Sequence, residues 1–453
     1  MKKSYSEITP YIKELARTSC KNNKIKPEMY QKHNVKRGLR DLDGNGVVTG
    51  LTEISNIKAK EKLSDGTTVP CDGQLFYRGI NVRDLVNGFM TDGRFGFEET
   101  VYLLLFSKLP DKAQLEKFTN TLAEYRTLPT SFVRDMILKA PGHNLMNILA
   151  RSVLALYAYD ENPDDISIPN VLRQSLQLIA VFPLLSVYGY QSFQHYYNGQ
   201  SLCIHLPKKE LSTAENILHL LRGENKYTDL ETKILDLAMV LHAEHGGGNN
   251  SSFTTHVVTS SGTDTYASVA AALGSLKGPR HGGANIKVVH MFDDMKNSIN
   301  TNDKDQIKDY LARLLDKQAF DKAGLIYGMG HAVYSKSDPR SDILRGCAKK
   351  LAVAKGCEAD YELYETVASL APQIIAEKRK MYKGISATVD FYSGLVYKML
   401  ELPYEMYTPI FAISRIAGWS AHRIEEIQNN GKIIRPAYIN VKKETEYVKL
   451  DER

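Results

Sequence analysis

Cysteine is scarce in this 453-residue chain: there are five, Cys20, Cys71, Cys203, Cys347 and Cys357. None stands in C-x-x-C spacing and an odd number cannot all pair, so a disulfide framework or a zinc module is not expected, and a reducing compartment fits better. No long hydrophobic run occurs either. The longest apolar stretch, residues 176–190, carries Pro183 and falls short of the ~20 residues that cross a bilayer, so it is expected to be a buried helix. Residues 1–10 contain lysines but no apolar core, which argues against a secretory signal. Residues 1–24 hold a single arginine and two glutamates, which argues against a mitochondrial address. Neither sign of charge dominates: the formal net charge is +6, suited to anionic small molecules but too diffuse for a nucleic-acid surface.

Several familiar motifs fail for want of one part. HGGG at 245–248 resembles a hydrolase oxyanion loop, yet no G-x-S-x-G occurs. His242 and His245 lack an H-E-x-x-H pattern to make them metal ligands, and a core histidine at a helix end is the commoner case. Gly328-Met329-Gly330 has no third glycine for a dinucleotide fingerprint. DLDGNG at 41–46 begins like a calcium loop, but Thr52 stands where a bidentate glutamate is required, so a tight turn is expected.

What is present is helical periodicity. Hydrophobic residues make up 43% of the chain, enough for a sizeable core, and the length predicts two or three structural units. Apolar Leu230, Ile234, Leu237, Ala238 and Leu241 recur at helix spacing, and similar patterns fill 97–106, 266–276, 307–315 and 360–381. Strand-like segments are few: 50–57 and 74–78 near the start and 437–441 near the end. Residues 161–165 and 297–305 read as surface loops and 442–453 as a charged tail. The fold class is therefore mostly α, with small β elements near the N-terminus.

Three histidines are wrapped in glycine, in LHAEHGGGN (241–249), KGPRHGGAN (277–285) and YGMGHAVYSKSDPR (327–340). Glycine lets the backbone approach a ligand closely, so such histidines can face a cleft. His281 precedes a helix expected to start near Gly283, where the helix dipole favours a neutral imidazole able to donate to a developing enolate. Asp338-Pro339 reads as an N-cap followed by proline at the first helical position, which puts Arg340 in the first turn, ready for a carboxylate. Asp390, in ATVDFYSG (387–394), follows small and apolar residues that would desolvate it as a base requires. Taken alone, it would more often be a turn or capping aspartate. Arg415 lies inside an apolar helix pattern, where burial demands an anionic partner, and Arg435 is similar but less telling.

Together these segments resemble the citrate synthases of bacterial type, nearly end to end. GLRDLDGNG and GLTEIS within 38–55, LFYRG within 73–85, and residues 97–110 match the family's early elements, and the segments around His245, His281, His331, Asp390, Arg415 and Arg435 follow in the family's order. The resemblance implies a two-domain helical dimer, with residues 1–281 and 387–453 forming a large domain and 282–386 a small domain closing over the cleft. It also implies condensation of acetyl-CoA with oxaloacetate and water to citrate and CoA, in the tricarboxylic acid cycle. Asp390 would take the methyl proton, His281 hold the enol or enolate, and His331 polarise the oxaloacetate carbonyl. His245, Arg340 and Arg415 would bind the carboxylates, with Arg435 doing so from the partner subunit. Gly328, Met329 and Gly330 would face the CoA nucleotide and Lys336 a phosphate. No metal or cofactor is implied, the CoA thioester being a substrate. A cytoplasmic homodimer without nucleic-acid or membrane partners is expected. The chain departs from many relatives at Ala437, where they carry arginine, at Arg280, where they are apolar, and at Ser335, where some place a CoA-binding arginine. Arg280 reads either as a ligand contact or as a surface charge. The alternatives are 2-methylcitrate synthase, which shares these residues, and a relative that binds CoA or dicarboxylates without turnover.

Overall fold

The computed structural model describes residues 6–41, 46–330, 333–334, 336–380 and 384–453. The chain divides into two compact units, one holding the described residues up to Leu51 with Arg435–Arg453, the other Thr52–Ile434. In the first unit the Pro10–Asn22 helix starts at Thr9, whose hydroxyl accepts the Ile12 N–H, and none of its residues is buried. The turn at 42–45 lies outside the described residues.

The second unit is a helical body with one three-stranded antiparallel sheet, β1 (Ser55–Lys62), β2 (Thr68–Tyr77) and β3 (Ile80–Asn81), in the order β1-β2-β3. The 97–106 pattern is the Phe97–Phe106 helix, 266–276 lies in Thr265–Leu276, 307–315 in Lys304–Leu315, and 360–381 largely in Glu358–Arg379. The 176–190 stretch sits inside the helix Ile168–Asn198, whose most apolar 18-residue window is 83% buried, so its greasiness serves a protein core. Pro183 lies within this helix without ending it.

The strands differ from expectation. Extended pairing begins at Ser55, not residue 50, and runs on through Lys58–Lys62-type sequence that carries three lysines and a glutamate. Lys58 pairs with Gln74 and Lys60–Lys62 with Thr68–Pro70, a charged and largely exposed hairpin arm with no apolar alternation to reveal it. Residues 437–441 form no strand: every one is exposed, and a strand persists only where a neighbour takes up its backbone hydrogen bonds.

Candidate active site

The Asp229–His242 helix is set by a capping box: Thr228 Oγ1 accepts the Glu231 N–H at 3.2 Å and Glu231 Oε2 accepts the Thr228 N–H at 2.7 Å. Beyond His242 the chain turns into 243–248, and that turn is braced from two sides. Arg415 Nε donates to the His242 carbonyl at 2.7 Å, and the Tyr77 hydroxyl lies 3.0 Å from the Val240 carbonyl and 3.1 Å from that of Glu244. His245 is nearly buried, with its ring 5.5 Å from that of Tyr334. His242 is the core histidine its helix-end position suggested, fully buried 4.5 Å from the Phe411 ring. Burial first, then Arg340 and Arg415, hold it well below the usual histidine range, so it is neutral.

Arg415 sits on the Tyr407–Gln428 helix with no solvent exposure. Burial pulls its guanidinium down to about 10, opposed mainly by Glu244. Its Nη1 and Nη2 have no hydrogen-bond partner among the described residues. A buried guanidinium with two idle donor groups is a socket for a carboxylate. One turn on, Gly418 lets Glu244 reach this helix: a Cβ there would stand 2.2 Å from Glu244 Oε2 and 2.6 Å from the Ala243 carbonyl. Gly418→Ala is therefore expected to cost roughly 1–3 kcal/mol by overpacking, read as a lower midpoint in denaturant titration.

His281 is neutral, as the sequence suggested, but for a different leading reason. Burial, then Arg415, lowers it to about 4, and it lies just ahead of the Ala284–Ser298 helix with its N-cap at Gly283. Its Nε2 is 3.1 Å from Ser251 Oγ, which also accepts the Trp419 Nε1–H at 3.1 Å and lies 2.9 Å from Asn249 Oδ1. Ser251 has one proton. The structure gives that proton to Asn249 Oδ1; turned instead to His281 Nε2, it leaves the imidazole proton on Nδ1, free to donate to a substrate oxygen. Ser251→Ala removes that choice, and kcat is expected to fall about tenfold, the worth of one hydrogen bond of ~1–1.5 kcal/mol; steady-state rates at saturating substrate check it.

Asp390 lies in the first turn of the Val389–Met399 helix. Desolvation outweighs Arg340 and Arg415 and pushes its carboxyl up to about 6. Asp338 ties this helix to the next site element. It caps the Pro339–Lys355 helix by accepting the Arg340 N–H at 3.0 Å, binds the Arg340 guanidinium at 3.1 and 2.8 Å, and accepts the Val389 N–H at 3.2 Å. Arg340 thus stands in the first turn as expected, already paired with a carboxylate of its own chain. The Gly328–Gly330 loop is laced to the segment before Asp390: Thr388 N donates to the Gly328 carbonyl at 2.8 Å and Gly330 N to that of Ser386 at 2.9 Å, around a Met329–Ala387 bridge. Gly328 has φ +79°, and a Cβ there would meet Phe391 and Val288 at 2.9 Å, so both backbone and space require glycine.

Asp390, His281, Arg340 and Arg415 fall within one electrostatic neighbourhood. His245 follows the turn that Arg415 braces. Lys336 and Arg280 are exposed, and Arg435 is exposed in the other compact unit. His331 and Ser335 lie outside the described residues. Sequence reasoning missed Ser251, Tyr77 and Glu244. Ser251 follows the glycine run by three residues but carries no signal of its own, and Tyr77 and Glu244 matter only through contacts distant in sequence.

The site and the helical fold define an enzyme, a transferase that works by acid–base chemistry on anionic substrates. Residues 41–437 match the family model described as "Citrate synthase, C-terminal domain". The chain is 33% identical over 410 residues to a citrate synthase of Synechocystis sp., covering 89% of this chain and 93% of that one. It is 32% identical over 378 residues to a 2-methylcitrate synthase of Shewanella oneidensis, covering 83% and 91%. Among solved structures it resembles the ternary complex of carboxymethyl coenzyme A and oxaloacetate with citrate synthase from Thermoplasma acidophilum, with a TM-score of 0.77, 26% identity, and coverage of 92% and 99%. The chain belongs to the citrate synthase family.

Proposed function

We infer that this protein condenses acetyl-CoA with oxaloacetate and hydrolyses the product thioester to citrate and CoA. The observation that carries the reading is that a desolvated carboxylate, Asp390, and a neutral imidazole, His281, both lie in the field of the buried Arg415, with Arg340 also acting on Asp390. Asp390 takes a proton from the acetyl methyl group, and the His281 Nδ1–H holds the enol oxygen that develops. Base and hydrogen-bond donor must act together because the C–H acid is weak. The enol carbon attacks the oxaloacetate carbonyl, which His331 polarises, while His245, Arg340 and Arg415 hold the carboxylates. Arg435 is assigned to the partner's site in a homodimer. Water then cleaves citryl-CoA, releasing the thiol of CoA.

Gly328, Met329 and Gly330 face the CoA in this reading, with Lys336 at a phosphate, and residues 282–386 close over the cleft to keep water out before condensation. No cofactor or metal enters the scheme, and a cytoplasmic location fits the cysteine usage. A second reading, 2-methylcitrate synthase, is favoured by the near-equal identity to a relative of that name. The two differ by one methylene in the acyl pocket, worth roughly 1–3 kcal/mol. Thiol release on adding oxaloacetate, with acetyl-CoA and propionyl-CoA side by side, tests both. Acetyl-CoA is expected to be preferred by at least about tenfold. A reversed ratio would establish the second reading, and release with neither would overturn the enzyme.

A further inference from the structure

Behind the proposed dicarboxylate subsite runs a chain of ionisable groups that the reaction scheme does not use. Glu426 Oε2 lies 2.7 Å from His256 Nδ1, His256 Nε2 lies 3.1 Å from His422 Nδ1, and His422 Nε2 lies 3.1 Å from Glu244 Oε1. The chain starts near the surface, where the Glu426 side chain is 17% exposed, and ends fully buried at Glu244. Three hydrogen bonds join four groups, and an ionised carboxylate has no proton to give. The two imidazoles must therefore hold three N–H protons between them, and hence one positive charge. With only two protons, one of the contacts would set two lone pairs face to face.

The buried end matters for the site. Glu244 precedes His245, and its Oε1 also accepts from Ser55 Oγ at 3.0 Å, while Ser55 Oγ accepts the Gly246 N–H at 3.1 Å. A side chain at Gly247 would touch both imidazoles, so the loop lies directly on the pair. Glu244 is also the main charge opposing the burial of Arg415. Arg415, Gly418 and His422 recur at i, i+3 and i+7, which turns all three toward Glu244 from one face of their helix.

We propose that His256 and His422 are positioning residues for the dicarboxylate subsite, sharing a single proton that fixes Glu244 and through it sets His245 and Arg415. The proposal rests on the citrate synthase reading of that subsite. The charged groups around the pair are Glu244, Glu425 and Glu426, with Arg415 and Arg78 acting on these carboxylates and Glu53 alongside. Glu425 Oε2 stands 4.0 Å from His422 Nδ1. Burial and the neighbouring His422 push His256 down, as expected of a pair that holds one extra proton and not two. The pair stabilises the subsite while the shared proton is held, and the effect is lost as pH rises and that proton leaves.

His256→Gln keeps a donor for Glu426 but cannot carry the charge. In this variant the KM for oxaloacetate is expected to rise roughly tenfold, the worth of one lost charge-bearing hydrogen bond, with kcat and the KM for acetyl-CoA little changed. In the wild type kcat/KM for oxaloacetate should fall as pH rises and the shared proton leaves, and this fall should disappear in the variant. Glu426→Gln, at the exposed end, leaves the core untouched and should move that limb to lower pH, because a carboxylate that held the proton is gone. In wild-type protein carrying nitrogen-15 histidine, the pair should show three ring N–H groups. Two ring N–H groups, an unchanged oxaloacetate KM in His256→Gln, or an unmoved limb in Glu426→Gln would each overturn the proposal. If the wild type proves unable to turn over, calorimetric binding of oxaloacetate replaces KM. Weaker binding by His256→Gln then supports the relay although the catalytic reading has failed, and equal binding overturns the relay as well.

Discussion

Replacing Asp390 by asparagine is expected to lower kcat by about three orders of magnitude, within the 10²–10⁴ range of a positioned general base, while oxaloacetate affinity changes only a few-fold. Asparagine keeps the shape and can still accept a hydrogen bond, but its amide cannot take a proton. The same carboxyl sets the acid limb of the pH profile. Its pKa is raised from 3.8 to about 6 by burial, and only the ionised form is a base, so kcat should fall as pH drops through 6. His281, lowered to about 4, stays neutral through that window and adds no limb of its own. Stability runs the other way. A carboxyl that is harder to ionise folded than unfolded costs stability as pH rises from about 4 through 6, so Asp390→Asn should raise the Tm at pH 7. A variant that loses turnover and gains stability while binding oxaloacetate normally separates a catalytic base from a structural aspartate. Unchanged turnover would remove Asp390 from the mechanism.

Arg415→Met carries the second large effect, expected in the KM for oxaloacetate rather than in kcat alone. Its Nη1 and Nη2, fully buried, have no partner among the described residues. Removing one member of a desolvated charge pair costs about 2–5 kcal/mol, or roughly 30-fold to several thousand-fold in affinity. Methionine preserves much of the volume, so the loss reports charge and not packing. The variant should also unfold more easily, because Glu244 is held to about 2 partly by Arg415 and would lose that countercharge. Adding Glu244→Gln should restore part of the stability and none of the affinity, a split that titrations of the two variants with denaturant and with oxaloacetate would reveal.

Helices were the legible part of this chain, because a buried helical face repeats every three to four residues whatever it packs against. The 97–106 pattern and the Phe97–Phe106 helix coincide, and Asp338-Pro339-Arg340 folds into the cap and first turn that the residue types specify. Strands were less legible. The arm at Ser55–Lys62 is charged and largely solvent-facing, and 437–441 carries Tyr438, Ile439 and Val441 yet pairs with no strand among the described residues. Both outcomes depend on a partner strand that local composition does not encode.

The same division runs through the site. Sequence by itself determined which groups carry chemistry: the glycine-wrapped histidines, the aspartate after small apolar residues, and the arginine in an apolar helix. Only the tertiary structure decided their states. His281 is neutral chiefly because it is buried, Asp390 is a base near 6 because desolvation outweighs two arginines, and Arg340 enters the site already paired with Asp338. Ser251, Tyr77 and the Glu244–His422–His256–Glu426 chain owe their roles to contacts between residues far apart in sequence. A pKa and a hydrogen bond depend on distance and dielectric, and both are set by packing, while residue type fixes only the unperturbed starting value.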